Sequence, residues 1–155
     1  MKVILWRRPD GGFSFTVTQF LDEDKAREHA EELVTSSRFE PTHRGFQFQG
    51  ICDDNEMPDG GCTNKTSMAS AYFKGAWDVV NGKPVLLIEK AKNIAHARRR
   101  EMRDVEMKPL DIEATIPDKA AHAEAERQII RDKYAQMQIA IDAATTPEQL
   151  KSVLS

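Results

Sequence analysis

Two runs in the C-terminal half of the chain carry mostly apolar residues at alternating spacings of four and three. On a helix of about 3.6 residues per turn, this spacing places them on one narrow face, as in a coiled-coil seam. The first run comprises Ala91, Ala95, Arg98, Met102, Val105, Pro109, Ile112 and Ile116. The second comprises Ala123, Arg127, Ile130, Tyr134, Met137, Ile141 and Ala144. Such helices are marginal alone, so each must pack on the other or on a partner chain. We expect the main packing contacts from Ile130, Tyr134, Met137 and Ile141, with Met102 and Val105 on the first helix.

Prolines predict how these helices begin and end. Pro109 should kink or locally break the first helix, because it lacks a backbone donor and clashes with the preceding turn. Pro117 can end that helix, and Asp118 can cap the second. Thr146 to Gln149 reads as a capping box that starts a short terminal helix. Unequal seams and a kink favour an antiparallel intrachain hairpin over a homo-oligomeric coil, although a homo-oligomer stays open.

The N-terminal half shows strand patterns interrupted by one helix. Residues 2–8 and 13–18 alternate in the manner of strands around a Pro-Asp-Gly-Gly turn, a helix starts at Asp22, and residues 45–51 form a third strand. Asn81-Gly82 between two apolar runs predicts a second hairpin, with strands 76–80 and 83–87. The predicted fold is therefore α+β. A small ββαβ-like sheet domain with a second β-hairpin spans residues 1–87, and residues 88–155 form a helical hairpin with a short capped helix.

A polar segment, residues 52–67, interrupts the first domain, and long loops of this kind often carry function. Tyr72, Phe73 and Trp77 follow it, and they could form a binding patch. We favour a core role for these three aromatics, because aromatic side chains beside a hairpin usually anchor a small core.

The sequence shows no convincing metal, cofactor or catalytic motif. Nine residues separate Cys52 from Cys62, whereas zinc sites place two to four residues between paired cysteines, and His43 would still leave the fourth ligand missing. The two thiols could be free or could form a disulfide. A calcium loop starting at Asp53 would place Met57 and Asn64 where an oxygen ligand and a glutamate are required. We predict no catalytic residue, no metal, no cofactor and no enzyme activity.

Charge and hydropathy restrict the partners. The net charge of -3 gives no support to nucleic acid, although Arg98, Arg99, Arg100 and Arg103 form one basic cluster. Acidic residues interleave with this cluster, as is typical of a salt-bridged helix face. The longest apolar runs are too short for a signal peptide or a membrane span, so we expect the protein in the cytoplasm.

Several short segments together resemble small proteins encoded in the tail and fibre modules of tailed bacteriophages and prophages. The segment Tyr72 to Arg98 contains an aromatic-x-x-Ala-Trp sequence, a hairpin and the start of a helix, as those proteins do. The closing element Ala144 to Lys151 and the opening Arg7 to Gly12 are also similar to theirs. The resemblance covers about half the chain and implies a setting in tail or fibre assembly without carrying over any catalytic residue.

Three functions follow as expectations. The first is a non-enzymatic structural or accessory protein of a phage tail or fibre, which binds other tail or fibre proteins in the host cytoplasm and remains in the virion. The second is a tail fibre assembly chaperone that is absent from the mature virion. The third is a DNA-binding regulator that uses the cluster Arg98 to Arg103.

Overall fold

The chain divides into two compact units, Met1–Leu87 and Ile88–Ser155. The division comes from a computed structural model that describes residues 1–35, 43–58 and 73–155. It falls at the boundary expected from the sequence. Tyr72, Cys62 and residues 59–67 of the polar segment lie outside the described residues.

The first unit is a three-stranded antiparallel sheet with a helix and a second hairpin. Its strand order is β2-β1-β3. The elements are β1 (Lys2–Arg7), β2 (Phe13–Val17), α1 (Glu23–Thr35), β3 (Gln47–Asp53), β4 (Trp77–Val80) and β5 (Lys83–Leu86), with short 3₁₀ turns at Asp54–Glu56 and Lys74–Ala76. The predicted ββαβ order and both predicted hairpins are confirmed.

The central strand β1 is buried on both faces because its side chains alternate between two small cores. Val3 and Leu5 pack on one face with Trp77 and Val79. On the other face, Ile4 and Trp6 pack with Ala30 of α1; the partly buried residues of this second core are Leu33, Val34, Phe46 and Ile51. Because successive side chains of a strand point to opposite faces of the sheet, β1 contributes to both cores.

The second hairpin turns at Asn81 and Gly82, whose φ angles are +52° and +75°. Positive φ at both central residues defines the type I′ turn, which matches the twist of the flanking strands. Gly50 of β3 lies against this turn, and an added Cβ there would come within 2.8 Å of the Gly82 carbonyl oxygen. The sequence signal and the close approach thus select glycine at both positions.

His43 packs on the α1 side of the sheet through a ring–ring contact and a hydrogen bond. Its imidazole lies 5.0 Å from the Trp6 ring, centroid to centroid. Its Nε2 is 3.0 Å from Thr16 Oγ1, which accepts a 2.9 Å hydrogen bond from Trp6 Nε1. Burial lowers the pKa of His43 from its ordinary value, and nearby His29 lowers it further.

The lowered pKa of His43 predicts that the first unit loses stability in mild acid. Below the ordinary histidine pKa of 6.5, the unfolded chain binds a proton that folded His43 resists. The stability is therefore present above that pH and falls as the pH decreases. Urea titrations followed by tryptophan fluorescence should show this, since both tryptophans lie in the first unit. His43→Asn should flatten the slope and His122→Asn, at an exposed site, should preserve it; equal slopes in both variants would contradict the prediction.

The second unit is a hairpin of two long helices with a short helix packed against both. The helices are α2 (Ile88–Glu113), α3 (Pro117–Ala143) and α4 (Pro147–Leu154). The capping box at the start of α4 is confirmed: Thr146 Oγ1 accepts from the Gln149 amide, and Gln149 Oε1 accepts from the Thr146 amide. The fold class predicted from the sequence, α+β with a C-terminal helical hairpin, is also confirmed.

Two predictions about the prolines need correction. Helix α2 continues through Pro109 to Glu113, so the predicted local break is absent. Pro109 removes only the bond to the carbonyl of Val105, one turn before the helix ends, and the ladder survives that loss. Pro117 is the first residue of α3 and Ile116 is its N-cap, so Asp118 lies inside the helix and does not cap it. The fixed φ of proline suits this first helical position.

Candidate interaction surface

Ion pairs between α2 and α3 establish the antiparallel register of the hairpin. His96 Nε2 lies 2.9 Å from Asp142 Oδ1, near the open end. Lys133 Nζ lies 2.7 Å from Glu106 Oε1 at the middle. Arg127 is 3.1 Å from Asp111 near the turn. Residue numbers rise on α2 as they fall on α3, so the two helices run in opposite directions.

The interior of the hairpin is held by polar groups as well as by apolar packing. Arg99 is buried, and its Nη1 donates a 2.9 Å hydrogen bond to the carbonyl oxygen of Tyr134. The hydroxyl of Tyr134 donates a 2.6 Å hydrogen bond to Glu106, which also pairs with Lys133. Two helices are therefore joined by a chain of charge-assisted bonds around one buried aromatic ring.

The electrostatics of this chain follow from its burial and its partners. The hydrogen bonds from Lys133 and then Tyr134 lower the pKa of Glu106. Burial raises the pKa of Tyr134 to about 12, and the Glu106 carboxylate adds to the rise. Burial also lowers the pKa of Arg99, followed by the neighbouring charges of Arg103 and Arg100. At neutral pH, Glu106 is therefore a carboxylate and Tyr134 a neutral donor.

The predicted packing face of α3 agrees with the structure. Tyr134 and Ile141 are among the largest fully buried side chains, and Ala123 is also buried. Ile130 and Met137 are partly buried. Their burial within the hairpin leaves Tyr134 and Ile141 unavailable to a partner.

The predicted packing face of α2 is wrong beyond its first two turns. Met102 is partly buried, but Val105 is 74% exposed and Ile112 is 64% exposed. The contact with α3 passes instead through Arg99 and Glu106. A search of the sequence for apolar residues misses such a contact, because hydrogen-bonding groups and the aliphatic stem of arginine provide it.

The displaced apolar residues lie together on one side of the hairpin. Each residue advances a helix by about 100° around its axis. Viewed along the axis of α2, Val105 and Ile112 therefore lie about 120° to 140° from Arg99 in one direction. His96 and Asp111 lie in the other direction. The same geometry on α3 places Ile129 and Met137 on the side of Tyr134 away from Asp142 and Glu124. His96 pairs with Asp142, so the ionic sides of the two helices face the same way. The opposite side therefore carries apolar residues from both helices around the half-exposed Lys133; Val105, Ile112 and Ile129 are exposed and the others are partly buried. We call these residues the aliphatic surface: Met102, Val105, Ile112, Ile129, Ile130 and Met137.

Helix α4 packs against both long helices of the hairpin, near the open end that it follows in the chain. Leu150 and Leu154 of α4 are buried. Because α4 has only eight residues, the aliphatic surface from Met102 towards the turn is left uncovered.

A shallow groove of about 350 Å³ lies along this part of α2. Met102 and Val105 contribute its apolar lining, and Arg98, Glu101 and Glu106 surround them. On α3, Ile129 is 61% exposed. Large aliphatic side chains gathered on one exposed face, with charged residues at its edge, are typical of a protein-binding surface.

The other side of α3 is covered by a network of charges. Glu124 bonds both Arg127 and Arg131, and Gln128 bonds Arg131 and Asp132. All but the Glu124–Arg131 pair are three or four residues apart, and such exposed pairs contribute little individually to stability. The hairpin is therefore two-sided, with an ionic side and an aliphatic side.

The basic cluster predicted at Arg98 to Arg103 is not a uniform surface patch. Arg99 points into the hairpin, as described above. Arg98 lies 3.9 Å from Glu101, and Arg103 lies 3.3 Å from Asp104. The interleaved acidic residues pair with the outer arginines, as the sequence predicted.

The remaining predicted residues lie in the first unit. Phe73 and Trp77 are buried, which confirms their core role. Cys52 is free and buried beside Met57, and burial raises the pKa of its thiol to about 12. Within residues 1–35, 43–58 and 73–155, no cluster of three or more His, Cys, Asp or Glu side chains could hold a metal ion. Over the same residues, no helix is both long and apolar enough to cross a bilayer.

Comparison of the chain with protein-family models, with curated proteins and with solved structures found no match.

Proposed function

We propose that the chain is a non-enzymatic protein that acts by binding other proteins through its helical unit. The observation that carries this proposal is the aliphatic surface, on which Val105, Ile112 and Ile129 are each more than half exposed. Scattered exposed apolar residues are ordinary, but a group that extends across two packed helices beside a groove favours a partner.

The resemblance to tail and fibre proteins supplies the proposed setting. In this setting, the first unit serves as a folded base, and the aliphatic surface binds a protein of a phage tail or fibre in the host cytoplasm. The protein then stays in the virion as a structural or accessory component. An assembly chaperone would use the same surface on a fibre protein and then leave.

Photo-crosslinking tests the surface and the setting together. A photoreactive amino acid at Ile129, which is 61% exposed on α3, should crosslink to a tail or fibre protein during assembly, and the product should persist in purified particles. The matched control is Ile139, an isoleucine that is 60% exposed on the side of α3 away from α2. It should give no such product.

Mass spectrometry of the particles separates the candidates. Stoichiometric presence supports the structural role, and a crosslink in cells without presence in particles supports the chaperone. Equal crosslinking from Ile129 and Ile139, or none to any tail or fibre protein, would contradict the proposed function.

The structure gives the DNA-binding alternative less support than the bare sequence does. Arg99 is committed to the hairpin interior, and Arg98 and Arg103 lie beside acidic side chains. Phosphate binding needs cations that are free to replace counterions along the backbone. No specific observation favours this function over protein binding.

A further inference from the structure

We propose that the α2 part of the aliphatic surface binds a second copy of this chain, with the two α2 helices antiparallel about a two-fold axis beside Val105. This inference rests on the proposed function, namely protein binding through the helical unit. It adds the identity of one partner and the geometry of its contact.

The outer side of α2 carries a stripe that is suited to packing against another helix. Its members follow one another at spacings of seven, four, three and four residues and lie within about 60° of one another around the helix. They are Ile94, Glu101, Val105, Lys108 and Ile112. The stripe therefore has aliphatic residues at both ends and at its centre, with Glu101 and Lys108 between them on one flank and the exposed Arg98 on the other flank, about 20° from Val105.

The two charges of the stripe are placed symmetrically about Val105. Glu101 lies four residues before Val105, and Lys108 lies three residues after it, on the same flank of the stripe. In an antiparallel pair, a two-fold axis beside Val105 brings Glu101 level with Lys108 of the partner subunit. The same axis brings Lys108 level with Glu101 of the partner subunit, so each subunit supplies one acid and one base.

A parallel pair would place the charged flanks of the two copies on opposite sides of the contact, so Glu101 and Lys108 could not pair between copies. The order of charge along α2 thus favours an antiparallel copy. Glu101 is exposed, and its contact with Arg98 within the chain is long at 3.9 Å, so it can reach a new partner. Ile112 would lie level with Ala97, beside the exposed Arg98 at the edge of the contact.

The contact would also continue an arrangement already present within the chain. Helix α4 already packs against both long helices, and its Leu150 and Leu154 are buried. The second copy's α2 would pack on the exposed stretch of α2 around Val105. An amphipathic helix in a groove is a common way to bury such a surface.

Sedimentation equilibrium of the full chain, over a series reaching about 1 mM, tests for this dimer. Val105→Glu should weaken association by about a hundredfold, because it places two carboxylates together at the two-fold axis. Val105 is 74% exposed, so the monomer should keep its fold, as circular dichroism would verify. Ile139→Glu introduces the same charge at an exposed isoleucine on another side and should leave association unchanged.

A charge exchange tests the antiparallel geometry itself. Glu101→Lys alone and Lys108→Glu alone each create two like-charge contacts in the dimer and should weaken it by about tenfold. The double variant restores opposite charges at both places and should recover the original affinity. A monomer at every concentration, or a double variant no better than the single ones, would overturn the inference.

These outcomes are separate from those of the proposed function. A monomeric protein that still crosslinks from Ile129 to a tail or fibre protein would remove the dimer and leave the proposed function standing. A dimer that follows the charge exchange but crosslinks to no tail or fibre protein would do the reverse.

Discussion

Replacing Tyr134 with alanine should unfold the helical unit while the first unit stays folded. Tyr134 is the largest fully buried side chain of the hairpin, and its hydroxyl donates to Glu106 across the interface. Removing a buried aromatic ring usually costs about 3–5 kcal/mol, because the cavity relaxes only in part. The unit has 68 residues, so a loss of that size is comparable to its whole stability.

Two spectroscopic signals can show which unit has lost its structure. Far-ultraviolet circular dichroism follows mainly the long helices α2 and α3, whereas tryptophan fluorescence follows the first unit, which holds Trp6 and Trp77. Tyr134→Phe keeps the ring and removes only the hydroxyl, so it should cost about 1 kcal/mol. If the alanine variant lost no more than the phenylalanine variant, the ring would not be the centre of this unit.

Local sequence signals predicted most of the fold because their physics is local. The Asn81-Gly82 turn requires positive φ, and few residue pairs provide it. The capping box at Thr146 satisfies amides within one helical turn. Alternation in β1 indicated a strand, although only the structure shows that both of its faces are buried. Each signal acts over a few residues, so each can be read before the tertiary structure is known.

The interface of α2 could not be read in this way because two residues of its predicted seam, Val105 and Ile112, are exposed and face away from α3. The spacing that starts at Ala91 continues through Val105 and Ile112, and nothing local distinguishes a packed seam from an exposed one. The deciding contact is the bond from Arg99 to the Tyr134 carbonyl, 35 residues away. A buried arginine with a backbone partner on another helix has no sequence signature.

The candidate surface was visible in the sequence but was assigned to the interior. Val105 was predicted to pack within the hairpin, and the same apolar character now supports its role in binding a partner. A strict heptad drifts by about 20° per repeat on a straight helix, which is one warning that a long seam leaves the interface. The short length of α4 is another, since eight residues cannot cover the whole side of a hairpin of this size.

Reversing the charge at Arg99 should destabilise the hairpin far more than the same change one residue earlier. Glutamate at this position would bury a carboxylate next to the carbonyl oxygen that Arg99 now binds, with a cost of about 3–5 kcal/mol. Arg98 is exposed, so Arg98→Glu should change the free energy of unfolding by no more than about 0.5 kcal/mol. Urea denaturation followed by circular dichroism measures both.

Arg99→Met provides the test of the cause. Methionine keeps the aliphatic stem and removes the desolvated charge, so it should cost less than the glutamate variant and could leave the hairpin as stable as before. Equal losses for Arg99→Met and Arg99→Glu would show that the hydrogen bond matters more than the buried charge. The same comparison decides how nucleic-acid binding can be examined in this chain. Weaker DNA binding in Arg99→Glu would report an unfolded hairpin, whereas Arg98→Glu combined with Arg103→Glu removes surface charge and leaves the interior bond in place.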